Sequence, residues 1–278
     1  MSGQTHRFRV GDFACIAICD EGVPGSIRGL YSNAADDDVA SAAGALGYDI
    51  EAFPMSCTPL FVDTGTQRVL VDAGRPQVEA GGDGYLLHGL GAEGIPPETI
   101  DVVILTHGHG DHIGGLADAD GRLHYPKARY TMWKSDWDYW TDEATLALLD
   151  AERAAARRAS LQSIADRVVL LETEADIAPG IRYAPMPGHT PGHCGVMLQS
   201  GGEQLLAMVD ALHTPMQMQY PNWHCKHDVA PDEAVATRRA LFERAAADRL
   251  LTLGFHLPFP GLGYVVQEGD AWRWQPVG

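Results

Sequence analysis

Lysine is nearly missing from this chain: Lys127, Lys134 and Lys226 are the whole complement, and arginine carries the rest of the basic charge. The 20 lysines and arginines stand against 37 acidic residues, leaving a formal net charge of -17 and a pI near 4.9. So acidic a chain lacks the clustered positive charge that nucleic acid or an anionic membrane would require. No apolar run approaches the roughly 20 residues that span a bilayer. The polar stretch from Met1 to Gly11 also lacks the apolar segment of a secretory signal. Cysteine is sparse. Cys15, Cys19, Cys57, Cys194 and Cys225 are an odd number without a dense framework, which excludes a disulfide scaffold and fits an expected cytoplasmic location. Cys15 and Cys19 alternate with apolar residues and read as buried thiols of a strand rather than ligands. No Gly-x-Ser-x-Gly element occurs, so a serine nucleophile on a strained elbow has no sequence support.

What the chain does have is Thr106-His107-Gly108-His109-Gly110-Asp111-His112-Ile113-Gly114-Gly115, directly after the apolar run Val102-Val103-Ile104-Leu105. The run reads as a buried strand, and the glycines let the backbone turn sharply at its end. In an extended segment His107 and His109 point to the same side, so two imidazoles can converge on one ion. Asp111 and His112 then point at a neighbouring position.

The His-x-His-x-Asp-His spacing resembles the signature of the metallo-β-lactamase superfamily, and the resemblance covers roughly residues 60–278. It implies an α/β fold, the αβ/βα four-layer sandwich, with a dinuclear metal site in its cleft. The family pattern requires a later His, a bridging Asp and a final His. His189 in Pro187-Gly188-His189-Thr190-Pro191-Gly192-His193, Asp210 after Leu205–Val209, and His256 after Leu250–Phe255 fill those places. By resemblance, His107, His109 and His189 hold one ion, Asp111, His112 and His256 hold the other, and Asp210 bridges them. Two divalent cations are expected, zinc first, with manganese, iron and cobalt also compatible with nitrogen and oxygen ligands. Metals about 3.5–4 Å apart share a water and lower its pKa from 15.7 toward about 7. The implied mechanism is attack by that bridging hydroxide, with Asp111 and Asp210 as the catalytic carboxylates and Asp111 shuttling the proton to the leaving group.

Asp210 argues against a true β-lactamase, whose pattern has no aspartate at that position. The segment His256-Leu257-Pro258-Phe259-Pro260-Gly261 is similar to the methyl parathion hydrolase-like branch, which includes lactonases, aryl esterases and phosphotriesterases. The expected activity is hydrolysis of a small-molecule ester or lactone, extending to organophosphates, by a homodimer without nucleic acid or membrane partners. A glyoxalase II-type thioesterase is the alternative on the same ligand set. A persulfide dioxygenase-like protein with one iron, or a non-catalytic binding member, would be expected to lack ligands that are present here.

Several residues take supporting roles in this reading. Asp72 in Asp72-Ala73-Gly74 resembles the family's Asp-x-Gly element. There it would accept the second ring N–H of a ligating histidine, against the plainer reading of a turn aspartate. His193 is expected to hydrogen-bond its own loop rather than bind metal. His213 is expected to stand behind the ligands or to face substrate. His224 and His227 read as surface residues, and His6, His88 and His124 are given no role.

The remaining elements are read coarsely, as one domain over residues 1–278 with an irregular N-terminal extension inside 1–54. Residues 7–19 predict one strand and 20–25 a turn. Residues 26–54 are an oligomer arm, a wall of the cleft or a solvated loop, with a short helix at 39–46. A hairpin follows at 58–62 and 69–71, and a helix at 85–90. Another helix is expected after Gly115, then a strand at 130–132. Trp133, Trp137 and Trp140 share one helical face, either as core or as an aromatic wall for substrate. Residues 145–164 predict a single helix with Glu152, Arg153, Arg157 and Arg158 exposed. Strands at 168–171 and 181–183, a hairpin at 196–198 and 205–209, a helix at 232–248, a strand at 250–255 and a last hairpin complete the chain.

Overall fold

The computed structural model describes residues 3–21, 24–78, 81–82 and 84–277. Met1, Ser2 and the Gly22-Val23 part of the expected turn lie outside the described residues. The predicted first strand is two: β1 (Thr5–Val10) and β2 (Phe13–Ile18) pair antiparallel, with Val10 opposite Phe13. The break falls at Gly11, whose φ of +55° suits glycine and whose Cβ, if present, would lie 2.1 Å from the Ser200 carbonyl oxygen. The stretch expected as one strand is therefore a hairpin.

The expected hairpin forms as β3 (Leu60–Asp63) and β4 (Arg68–Val71). Then β5 (Val102–Leu105), β6 (Arg129–Trp133) and β7 (Val168–Leu171) complete a seven-stranded sheet in sequential order. Strands β4 to β7 run parallel, so β4 and β5 deliver their following residues to the same edge. The second sheet also has seven strands in sequential order: β8 (Asp176–Ala178), β9 (Ile181–Pro185), β10 (Cys194–Ser200), β11 (Glu203–Val209), β12 (Leu251–Gly254), β13 (Leu262–Glu268) and β14 (Ala271–Pro276). Its one parallel pair, β11 with β12, brings the residues after both strands to one end.

Strand periodicity explains the layering. Val62, Val69, Val71, Val102 and Ile104 point inward against Val196, Leu198, Leu205, Ala207 and Leu253 of the other sheet. Alternate residues Phe61, Leu70, Val103 and Leu105 face outward, where α2 (Leu86–Ala92) covers them with Leu86 and Leu90. On the opposite side Met197, Leu206 and Met208 pack on Leu241, Phe242 and Ala245 of α7 (Pro231–Ala247). Burying one such side chain contributes about 1.5–3 kcal/mol. The result is the four-layer α/β/β/α sandwich expected.

Four local expectations are corrected. Residues 145–164 form two helices, α5 (Glu143–Leu146) and α6 (Ala151–Gln162), because Asp142 and Asp150 each cap a new start by accepting the N–H of Thr145 and Arg153. Arg157 is buried rather than exposed. No helix follows Gly115: α3 (Gly110–Ile113) is a single turn, residues 114–116 make a 3-10 turn, and Ala117 is extended. A Cβ on Gly115 would lie 2.1 Å from the Ala73 carbonyl oxygen, so close backbone packing takes precedence there over helix propagation. The tryptophans do not share a face. Trp133 ends β6 and packs between the sheets beside Tyr183, while α4 (Lys134–Thr141) puts Trp140 in the outer layer.

Residues 26–54 are neither a solvated loop nor a free arm. Ile27, Leu30, Tyr31, Val39, Ala42, Ile50 and Phe53 form their own cluster with Met216 and Cys225, around α1 (Asp36–Ala45). Tyr31 Oη lies 2.7 Å from Thr214 Oγ1, fastening the extension onto the segment after Asp210. Among the described residues, no helix is long and apolar enough to cross a membrane.

Candidate metal centre

The ends of β4, β5, β11 and β12 meet at one rim of the sandwich, and there the structure brings together all seven sequence-predicted ligands. Their donor atoms fall into overlapping groups: His107, His109, His189 and Asp210; His112, Asp210 and His256; and Cys57, Asp111 and His256. Within each group the atoms lie within 4.8 Å of one another. His107 Nε2 is 3.0 Å from His109 Nδ1, which is 2.9 Å from His189 Nε2. Asp210 Oδ2 lies 3.2 Å from His189 Nε2 and 3.3 Å from His256 Nε2, while Oδ1 lies 3.2 Å from His112 Nε2. Asp111 Oδ2 is 3.4 Å from His256 Nε2.

Hydrogen bonds on the far side of each ring fix which nitrogen faces inward. His112 Nδ1 sits 2.8 Å from the Asp72 carboxylate, His189 Nδ1 2.9 Å from that of Asp228, and His256 Nδ1 3.0 Å from the Ser56 carbonyl oxygen. These partners only accept, so each Nδ1 carries a proton, and each ring in its neutral form turns the Nε2 lone pair to the centre. His107 is set one step removed. The Thr106 hydroxyl donates to Asp72 at 2.9 Å and so can accept from His107 Nδ1 at 3.2 Å. His109 is the exception and presents Nδ1.

Three inward lone pairs about 3 Å apart repel unless a cation lies among them. Tetrahedral coordination at 2.0–2.1 Å would place ligand nitrogens about 3.3 Å apart. Two further inward atoms, His112 Nε2 and Asp210 Oδ1, are buried and have no hydrogen-bond partner apart from their 3.2 Å approach to each other, the condition that a bound cation relieves. The donor set therefore fits a pair of divalent metals. The electrostatics agree. Burial pushes His107 and His109 well below the usual histidine range, keeping them as neutral ligands. Burial opposes ionisation of Asp210, but the imidazoles of His256, His112 and His107 outweigh it and hold the carboxyl well below its usual range. For His189 burial is likewise outweighed, by Asp210 and Asp228, and its pKa rises to about 9. Without a metal, protons compensate the buried carboxylates.

The backbone is strained where it delivers two of these residues. Asp72 has φ +63°, and Val209, immediately before Asp210, has φ +49°. A β-branched residue in the left-handed region costs about 1–3 kcal/mol. Asp72 repays its own turn with three contacts, accepting from Thr106 N, Thr106 Oγ1 and His112.

His193 donates Nδ1–H to the Met186 carbonyl at 2.8 Å and accepts the Asp210 N–H at 3.2 Å, so it ties the His189 loop to the Asp210 turn. His213 stacks on His256 with ring centroids 5.2 Å apart and lies 3.5 Å from Asp210 Oδ2. His227 is exposed with its ring 6.4 Å from that of His109, at the mouth of the site, while His224 is half-buried near Asp232. Cys57 Sγ stands 3.9 Å from Asp111 Oδ2, closer to the ligands than its sequence context indicated.

Sequence reasoning missed three supports. Asp228 lies in a polar loop without a motif, yet it orients His189 and is held by Cys225 N and the buried Arg238. Arg238 also donates to the carbonyls of Ala211, Pro221 and Trp223. Asp136 accepts from Gly108 N at 2.8 Å, Gly192 N at 3.1 Å and the Thr190 hydroxyl, joining the two histidine loops. The one sequence signal for Asp136 is an acid among tryptophans.

The profile of the Metallo-beta-lactamase superfamily matches residues 52–253, most of the chain. The chain belongs to that superfamily. Probable metallo-hydrolases of Mycobacterium bovis and Mycobacterium tuberculosis are each 30% identical over 190 residues, 56% of this chain and 57% of theirs. The mouse metallo-beta-lactamase domain-containing protein 1 is 46% identical over 48 residues, 17% of either chain. The match thus spans from a small part to a little over half of those relatives' length. Among solved structures, the hydrolase AbOPH of the beta-lactamase superfamily superposes with a TM-score of 0.89 at 27% identity, covering 100% of this chain and 98% of its own. AidC, described as a dizinc quorum-quenching lactonase, gives 0.91 at 22% identity over 99% and 97%, a likeness of fold.

Proposed function

We propose that this chain is a dinuclear metal-dependent hydrolase of ester or lactone bonds, accepting phosphotriesters as further substrates. The observation that carries the reading is the convergence of inward lone pairs from five histidines, with Asp111 and Asp210, at the shared rim of both sheets. His107, His109 and His189 would hold one ion and Asp111, His112 and His256 the other, with Asp210 shared. When bound, two such ions supply a water of lowered pKa and polarise a carbonyl or phosphoryl oxygen.

The chain's own residues do the rest. Asp72, Thr106, Asp228 and Ser56 fix the ring orientations, so no reorganisation is needed when a substrate arrives. Asp111, less buried than the other carboxylate with 27% of its side chain exposed, is placed to pass a proton toward the leaving group. Trp140 packs edge-on against His109 with ring centres 5.1 Å apart, and His213 stacks on His256. The likeness to the hydrolase AbOPH supports hydrolysis, and AidC, described as a dizinc lactonase of the same fold, supports a metal pair and a lactone substrate.

Metal analysis with an activity panel tests this. About two divalent ions per chain, zinc foremost, together with turnover of aryl esters or lactones, is the expected result. A metal-replete protein inert toward esters, lactones, thioesters and phosphotriesters would overturn the substrate part. One iron per chain would overturn the dinuclear part.

A further inference from the structure

Arg157 has no role in the reading above, yet it stands beside the centre and is a buried residue, 8% exposed. It reaches from α6 toward α3, where its Cζ lies 4.3 Å from the centre of the Trp140 ring. That indole packs edge-on against His109 at 5.1 Å. Arg157 Nη2 comes to 3.7 Å from where a Cβ on Gly110 would stand, and Gly110 is the exposed residue between His109 and Asp111. The head group therefore lies against the loop that carries four of the ligands, with Nη2 beside its exposed glycine.

What it lacks there, among the described residues, is a hydrogen-bonded anion. Arg157 Nη1 is buried without a hydrogen-bond partner. The acidic side chains within electrostatic reach are Asp111 and Asp136. Asp136 is saturated by Gly108 N, Gly192 N and the Thr190 hydroxyl, and Asp111 faces His112 and His256. Trp140 offers a cation–π contact but no hydrogen bond. Removing one partner of a buried ion pair leaves an uncompensated charge that is strongly destabilising. A folded chain carrying such a cation beside a site for two more cations is prepared for a negative ligand. Burial lowers the Arg157 pKa to about 10, so it remains a cation at neutral pH. The net charge of -17 makes this local positive spot stand out.

We propose that Arg157 is a specificity residue that binds a carboxylate carried by the substrate away from the scissile bond. The preferred substrates are then anionic esters or lactones. This inference rests on the hydrolase reading and narrows its substrate class. Glycine at position 110 serves it by leaving the approach to Nη2 open. The bond broken is still the ester; Arg157 anchors the other end and takes no proton.

A matched pair of substrates tests it: the 4-nitrophenyl monoester of glutaric acid, with a free carboxylate, and its neutral methyl ester. The metal-loaded protein is expected to favour the anionic member in kcat/KM by about tenfold to hundredfold, the range for a hydrogen bond to a charged group. Arg157→Met is expected to collapse that ratio toward one, mainly through KM for the anionic ester, and Arg157→Lys to restore part of it. A scaffold role alone would move both substrates together. Equal kcat/KM for the pair in the native protein, or an unchanged ratio in Arg157→Met, overturns the inference and leaves the hydrolase reading standing. Should Arg157→Met not fold by circular dichroism, the ratio in Arg157→Lys decides by the same criterion. Should neither ester be cleaved, the hydrolase reading fails separately. Calorimetric titration of native protein and Arg157→Lys with monomethyl glutarate then decides: weaker binding to the variant supports the inference, and equal or absent binding overturns it.

Discussion

The two sheets bring their ligands to the common rim in different ways. The first supplies His107, His109, Asp111 and His112 from one loop after β5, and a single buried carboxylate, Asp72, anchors that loop at Thr106 and His112. The second supplies His189, Asp210 and His256 from three separate strand ends. Each has its own fastening: Asp228 for His189, His193 for Asp210, and the Ser56 carbonyl for His256. The first half is thus a cassette held from one carboxylate at the end of the neighbouring strand β4, 34 and 40 residues away from its two partners. The second is fastened in three separate places, by partners 39, 17 and 200 residues away along the chain. Asp136 and the Cys194 N–H bond to the Thr106 carbonyl at 3.1 Å are where the two arrangements lock together.

The sharpest way to break this comparison is to remove the one ligand both proposed ions share. Asp210→Ala is expected to lower the metal content from two to at most one per chain. Activity should fall by more than the roughly 10–100-fold expected for an outer residue. Elemental analysis and kcat on the same preparation check it; two tightly held ions in the variant would refute the bridging role. Next in size is metal removal. Ligands that bind only the folded state stabilise by about 4 kcal/mol at a thousandfold excess over Kd. Chelation should therefore lower the melting temperature by several degrees, and an unchanged melting curve would mean that the centre contributes nothing to the fold.

A pair of isosteric changes sharpens the contrast between the halves. Asp72→Asn is expected to weaken both ions by about 10–100-fold, because the Asp72 carboxylate sets His112 directly and His107 through Thr106. Asp228→Asn should weaken by a similar factor only the ion held with His189. Competition with a chromogenic chelator resolves the two steps. A loss confined to one ion in Asp72→Asn, or shared equally in Asp228→Asn, would contradict the separation of the halves.

That same division decides what was legible beforehand. The cassette could be read because its chemistry lies in one decapeptide whose spacing matches a family pattern, and Asp72 came with a turn motif of its own. His189, Asp210 and His256 were found by the family's order of ligands, each at the end of an apolar run. Asp228, Asp136 and Arg238 were not, since nothing local to them indicates a partner: Asp228 and His189 are brought together by chain folding, not by spacing. The split of the first strand at Gly11 and of the long helix at Asp150 was written in the sequence as turn and cap residues, but hydrophobic and alanine-rich patterns overrode it. Residues 26–54 were opaque because their core is completed by Met216 and Cys225, which only the folded chain brings near.

Two neighbouring glycines of the cassette give the finest test. A Cβ on Gly108 would fall 2.4 Å from Trp140 Cδ1, and the indole is hemmed in by His109 and Arg157. Gly108→Ala should therefore cost about 1–3 kcal/mol by overpacking. A Cβ on Gly110 meets no atom closer than Arg157 Nη2 at 3.7 Å, an ordinary contact, and the residue opens α3. Gly110→Ala should stay within about 0.5 kcal/mol of the parent, as surface changes usually do. Denaturant titration of both variants measures the difference. Equal losses would mean that the loop resists any added side chain through its backbone, and that Trp140 is not what shapes it.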